Sequence, residues 1–276
     1  MHLSVSQLWQ YPLKSAQGIA LPSGTLYAHG LAQDRRWLLV DAQGQMLTQR
    51  QQPNLGQLNV QASANARLTL TWSGQTITAQ ALCDQLETVQ IWGDRMPAHP
   101  VAVSVNQQLS TWLGLAVRLV YCPDQATRSV NAAYAGVGQH TAFSDGFPLL
   151  ILTQSSLDAL STAWGQPIDV RRFRPNLVIA GDCAAFAEDA WSSLQIGEVT
   201  FDLVKPCSRC VIPSLDPDTQ QPTQGFARFL AGKRRQSDGK IYLGQNAVIR
   251  QAAQVSDFRQ ALGTLQVGQA IEILTG

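Results

Sequence analysis

Charge is scarce in this chain: Asp, Glu, Lys and Arg make up 14% of its 276 residues, against about 25% in an average domain. The formal net charge is +1 and no long basic run occurs. That excludes a broad nucleic-acid or membrane-surface footprint, so an anionic ligand would be small and held in a pocket. No apolar stretch approaches the about 18 residues of a spanning helix, and the N-terminus has no basic segment followed by an apolar core. Cysteine is sparse and odd in number, five in all, without the spacing of a disulfide framework. This fits a reducing compartment, so a cytoplasmic location is expected. Cys83, Cys122 and Cys183 stand singly, and His2, His29, His99 and His140 form no H-x₃₋₅-H pair. A structural zinc site therefore lacks ligands. Helix signals are few, which excludes a doubly wound α/β fold. Internal repeats and low-complexity tracts are absent.

What is present is β-structure around an ample core, with 45% hydrophobic residues in a length that holds one large or two ordinary domains. Leu3–Leu8, Trp37–Val40 and Leu68–Trp72 read as strands. Ser73-Gly74 folds the last of these back onto Thr76–Thr78 as a hairpin, and Asp41-Ala42-Gln43-Gly44 is another turn. Gln107–Leu113 and Ser155–Trp164 carry helical Leu and Trp stripes that stop at Gly114 and Gly165. Thr127–His140, with Gly136 and Gly138, reads as a flexible connection or lid. Leu265–Leu274 alternates around Gly268 as a final hairpin. Together these predict a mainly β (α+β) fold.

The most chemically loaded stretch is Lys205-Pro206-Cys207-Ser208-Arg209-Cys210, at the end of the strand-like run Val199–Val204. Thiolates are soft metal ligands, and a guanidinium between them favours the ionised form while offering a fork of donors to an anion. The residues leave other readings open: buried small hydrophobes, a redox dithiol or half of a zinc site. A thioredoxin-like dithiol usually opens a helix, whereas Val211-Ile212-Pro213 reads as further strand and a turn. Other polar clusters also sit at strand ends: Tyr11-Pro12-Leu13-Lys14-Ser15, Asp34-Arg35-Arg36-Trp37, Thr48-Gln49-Arg50, Ser144-Asp145-Gly146-Phe147-Pro148 and Arg171-Arg172-Phe173-Arg174-Pro175-Asn176. Singly, each is a solvated loop or an ion pair; together they supply groups that can converge on a phosphate-bearing ligand.

The Y-P-x-K-S turn, the D-R-x-W-x-x-V strand, F-R-P-N, and C-S-R-C followed by D-P-D-T resemble the MOSC-domain molybdenum proteins, in the same order and from Leu8 to Leu274. The resemblance extends through Tyr242–Asn246 and Gly263–Gly268. It is strongest to bacterial relatives of the mitochondrial amidoxime-reducing component. It implies an N-terminal β-barrel-like MOSC domain over 1–122, a MOSC β-barrel domain over 123–276, and molybdenum cofactor, a pyranopterin dithiolene, between them. By position in the motif Cys210 is the metal ligand, with Cys207 as runner-up. The resemblance further implies that Lys14, Ser15, Arg35, Arg174, Asn176, Ser208 and Arg209 surround the pterin and its phosphate. It places Asp145 close by as a catalytic candidate beside Cys210, with Arg50 and Thr153 as lesser candidates for the cofactor's surroundings. At family level alone it also carries pyridoxal phosphate binding.

The implied activity is two-electron reduction of N-hydroxylated compounds such as amidoximes, hydroxamic acids and N-hydroxylated bases. A molybdenum cofactor or sulfur carrier using Cys210 is the alternative. The C-x₄-C-x₂-C spacing of a fused plant-type ferredoxin is missing. The expected partner is therefore a separate electron-transfer protein: a ferredoxin, flavodoxin or flavin reductase. Gln251–Ala261 is longer than the family pattern requires and reads as a surface insertion or short helix.

Overall fold

Seven strands close on themselves in this computed structural model, which describes residues 2–125 and 128–274. Their order is Leu177–Gly181, Leu149–Thr153, Tyr242–Ile249, Val199–Ser208, Ser193–Ile196, Ala270–Leu274 and Leu3–Gln10, which pairs back with Leu177–Gly181. The fold is mainly β, as expected. The first strand of the chain is thus a stave of a barrel built otherwise from its second half. Closure leaves no exposed edge along these pairings. Inward-pointing Leu3, Val5, Ile151, Ile179, Leu194, Phe201 and Ile249 are buried in the core.

One barrel pairing, Leu149–Thr153 with Leu177–Gly181, is parallel and needs a crossover. Helix Gln154–Trp164 supplies it. The Thr153 side chain caps the Ser156 N–H, and Gly165 ends the helix at φ 83°. Leu157 and Leu160 pack with Phe173, Phe226 and Leu230, the latter two from helix Phe226–Arg234, which has no clear sequence signal.

The first half adds a four-stranded sheet ordered Trp37–Val40, Arg118–Tyr121, Asp94–Pro100, Glu87–Ile91. A three-stranded meander includes the expected 68–78 hairpin, and helix Val103–Leu113 packs nearby. Trp37, Leu39, Leu68 and Leu70 fill this second core.

Several local expectations are revised. Gly263–Gln266 pairs with Ser23–Tyr27, whereas Ala270–Leu274 pairs with Ser193–Ile196 and Leu3–Gln10, so the final hairpin does not form. Distant partners outcompete the local one. Ile212–Ser214 is a 3₁₀ turn rather than strand. Thr127 lies outside the described residues; beyond it, Arg128–Ser129 pairs with His140–Thr141 around a helical turn at Ala132–Ala135, so this part is not an unstructured lid. The 251–261 region begins within a 3₁₀ helix, Arg250–Gln254. Among the described residues, no helix is long and apolar enough to cross a membrane.

Candidate functional site

The chain leaves its first strand at Tyr11, where the backbone N–H donates to Asp34 Oδ1 at 2.7 Å. The other Asp34 oxygen accepts from Arg35 at 2.5 Å, and the Arg35 N–H donates to the Tyr11 carbonyl at 2.8 Å. Two sequence-distant motifs are thereby locked together. Arg35 and Arg174 both stack on the buried Tyr11 ring, each 4.3 Å from its centroid. Gly18 lets the chain pass: a Cβ there would lie 2.4 Å from the tyrosine ring. Ser15, Arg35 and Arg174 adopt φ of 71°, 47° and 55°. Such left-handed residues cost energy and persist where surrounding structure over-determines them, commonly at functional sites.

These residues line one cleft together with Lys14, Asp145, Asn176 and the Cys207–Cys210 loop. The Lys14 ammonium is paired with Asp145 and donates to the Phe143 carbonyl at 3.0 Å. Burial pushes its pKa down against the opposing pull of Asp145. In turn the ammonium holds Asp145 at about 2, although that carboxylate opens onto the cleft. Asp145 is consequently an ionised partner of Lys14 at neutral pH and is not poised as an acid.

The thiol loop is fastened from the inside. Arg209 Nε donates to the Leu243 carbonyl and Nη1 to the Phe173 carbonyl, each at 2.9 Å, and Nη2 also donates to Leu243. Its backbone N–H donates to Ile241 at 2.7 Å. Contrary to the expectation of an open anion fork, this guanidinium spends much of its donor capacity on the main chain. Cys207 is half-buried, with its thiol pKa pushed up by burial; Ser208 and Cys210 are exposed. Asn176 is also committed: Oδ1 accepts from Arg35 at 3.0 Å and from the Leu150 N–H, while Nδ2 donates to the Trp9 carbonyl. It orients Arg35.

Among the described residues, Lys14, Arg35, Arg50, Arg172, Arg174 and Arg209 line the cleft against a single lining carboxylate, Asp145. The excess of positive charge suits a small multivalent anion. Among the described residues, no group of three or more His, Cys, Asp or Glu side chains could hold a metal ion. A metal here would have to arrive with most of its own ligands and take one from the protein. An exposed thiol among cations fits such a group when it carries a phosphate.

Residues 138–272 match the MOSC domain, and residues 2–116 match the MOSC N-terminal beta barrel domain. Mitochondrial amidoxime-reducing component 1 of Homo sapiens is 31% identical over 237 residues, covering 78% of this chain and 67% of that protein. This chain belongs to the MOSC family. The Mus musculus counterpart is 32% identical, covering 78% of this chain and 66% of its own. Molybdenum cofactor sulfurase of Oryza sativa subsp. japonica is 30% identical, covering 85% of this chain and 31% of its own. The chain therefore spans about two thirds of the amidoxime-reducing components and about a third of the sulfurase.

In this MOSC protein the D-P-D-T segment is a fastening. Asp216 Oδ1 accepts from the Asp218 and Thr219 N–H groups and the Thr219 hydroxyl, bonds that lower its pKa. Gln220 Oε1 accepts from Gln49 Nε2 at 2.9 Å, and the Thr219 carbonyl accepts from Gln57. The loop thus ties the second half of the chain to the first. Thr153 is not in the cleft; it is fully buried and bonded to Glu188 and Ser156. Arg50 does line it, beside Thr48, Gln49, Phe147, Arg172 and Asn246, which the sequence offers only as members of polar clusters or motifs without a role of their own. Arg172 carried a usable signal, lying two residues before Arg174 in the same basic run.

Proposed function

We propose that this protein binds molybdenum cofactor in the cleft and reduces N-hydroxylated compounds to the corresponding N–H compounds. The observation that carries the reading is an exposed thiol, Cys210, opening onto the same cleft as six cationic side chains. The amidoxime-reducing relatives support it. When bound, the cofactor would supply the two electrons that cleave the N–O bond, with two protons completing the N–H product and water. Cys210 would be its protein ligand, a soft thiolate for a soft metal. Lys14, Arg35 and Arg174 would face its phosphate and pterin, with Ser15 and Ser208 as hydroxyl partners. Asn176 would hold Arg35, and Arg209 would hold the thiol loop. Asp145 would keep Lys14 charged. The protons would come from solvent or substrate, and the electrons from a separate electron-transfer protein.

The match to a molybdenum cofactor sulfurase and the exposure of Cys210 favour one second reading, a cofactor or sulfur carrier. Molybdenum and released pterin per chain should be measured on protein from a cofactor-competent host, beside Cys210→Ala and Cys207→Ala. The reductase reading expects near-stoichiometric metal, disrupted chiefly by Cys210→Ala, and turnover of an amidoxime with a supplied electron donor. A persulfide on Cys210 without turnover would select the carrier. Folded protein that takes up no pterin would overturn the cofactor site.

A further inference from the structure

The hairpin of strands Glu87–Ile91 and Asp94–Pro100 ends in a two-residue turn, Trp92-Gly93, with Ile91 paired to Asp94. Turns of this length need positive φ, ordinarily supplied by Gly, Asn or Asp. Here the positive φ, 54°, belongs to Trp92, while the adjacent Gly93 does without it. The indole is also 42% exposed. A large aromatic on a strained and open position is rewarded neither by backbone preference nor by burial. Such local disagreement is expected where function sets the residue.

The indole is not itself a lining residue of the cleft but adjoins two residues that are. The Arg50 guanidinium lies 5.0 Å and Lys14 Nζ 5.9 Å from its ring centre, and both residues line the cleft. Arg128 keys the hairpin to the Asp145 loop. Its Nε donates to Asp94 at 3.0 Å, and its other nitrogens donate to the carbonyls of Ser144 at 2.9 Å and Asp145 at 3.3 Å. One guanidinium therefore fixes the Trp92 tip relative to Asp145. Phe147 adds a second aromatic surface to the cleft and is met edge-on by Tyr134 at 6.3 Å.

We propose that Trp92 is a specificity-determining residue, a platform for neutral, planar, conjugated N-hydroxylated substrates. The inference rests on the N–O reductase reading and narrows its substrate class. Stacking on an indole rewards a flat π-system. The cations beside it disfavour a second positive charge. An amidoxime is a weak base and enters neutral; two electrons and two protons convert it to amidine and water. The amidine, a far stronger base, takes up a further proton and becomes a cation. Arg50 and Lys14 thus favour release of the product over its retention.

Isothermal titration of cofactor-loaded protein with benzamidoxime, acetamidoxime and benzamidine tests this on wild type, Trp92→Ala and Trp92→Phe, with circular dichroism checking the fold. Wild type should prefer benzamidoxime over acetamidoxime. Trp92→Ala should reduce that preference about fivefold, and Trp92→Phe less than about twofold. Benzamidine, of similar shape but charged, should bind about tenfold more weakly than benzamidoxime, with Arg50→Ala narrowing the gap. An unchanged preference in Trp92→Ala, no preference in wild type, or equal binding of benzamidine would overturn the platform. If benzamidoxime binds with the expected pattern and is not reduced, the reductase reading fails and the platform stands. If it is reduced with a selectivity indifferent to Trp92, the reverse holds.

Discussion

Lys14 and Asp145 form one ion pair with opposite exposures: the lysine side chain is 7% accessible and the aspartate 70%. The buried partner bears the desolvation cost, and the open partner offsets it from the cleft side. A ligand entering the cleft therefore meets an arrangement in which charge is already separated and held.

Asp145→Asn should lower the Lys14 pKa further, because burial already pulls it down and the carboxylate is its main support. The stability loss should be about 1–2 kcal/mol, below that of a fully buried pair because Asp145 is solvated. Lysine-selective NMR titration and urea unfolding measure both; an unchanged Lys14 titration would sink this account. The sign for Asp145 runs the other way. Its pKa falls from the ordinary 3.8 to about 2, so its contribution is present above the ordinary value and fades as pH falls toward 2. An activity profile above about pH 5 should show no limb from it.

Arg209→Lys should loosen the thiol loop while keeping the charge. A lysine ammonium cannot reproduce the planar fork that reaches the Leu243 and Phe173 carbonyls. A loss of about 1–3 kcal/mol is expected, together with faster alkylation of Cys207. Equal alkylation rates in the two proteins would mean that the loop is held by something else.

The thiols should react in order of exposure and acidity. Cys210 is exposed, whereas Cys122 is fully buried with its pKa pushed up to about 11. At pH 8 the Cys122 thiolate fraction is on the order of 10⁻³. Iodoacetamide with mass-spectrometric mapping should label the two exposed thiols, Cys210 and Cys83, in folded protein and Cys122 only after denaturation. Labelling of Cys122 in folded protein at a comparable rate would contradict the burial.

Acid should destabilise the fold through His29. Burial, with Arg36 alongside, depresses its pKa from 6.5 to about 3. Its stabilising contribution is complete above the unfolded value and is lost as pH falls from 6.5 towards 3, by up to about 1.4 kcal/mol per pH unit. His29→Gln should flatten urea stability between pH 7 and 4. A wild-type slope retained in the variant would assign the acid sensitivity to other groups.

Much of the local architecture was legible because its causes are local. Alternation marked Leu3–Leu8, a short continuous apolar run marked Trp37–Val40, Ser73-Gly74 marked a hairpin, and Gly165 marked a helix end. The cleft residues were legible as motifs at strand ends, but their division of labour was not. Nothing near Arg209 in sequence announces the Leu243 and Phe173 carbonyls that occupy it. Nothing near Asp145 announces Lys14, its partner 131 residues away. Trp92 carried no motif at all; its backbone strain and its place beside Arg50 appear only in three dimensions.

By itself the sequence determined the β-rich character, the core stripes and the residue types able to meet a soft metal and an anion. Periodicity and turn chemistry act over a few residues, so they can be read along the chain. Tertiary structure alone decided that Leu3–Gln10 closes a barrel made from residues 149–274, that Gly263–Gln266 abandons its neighbour for Ser23–Tyr27, and which cations face the cleft. Those outcomes depend on register and burial between segments far apart in sequence, where several pairings are locally acceptable and the whole core selects one.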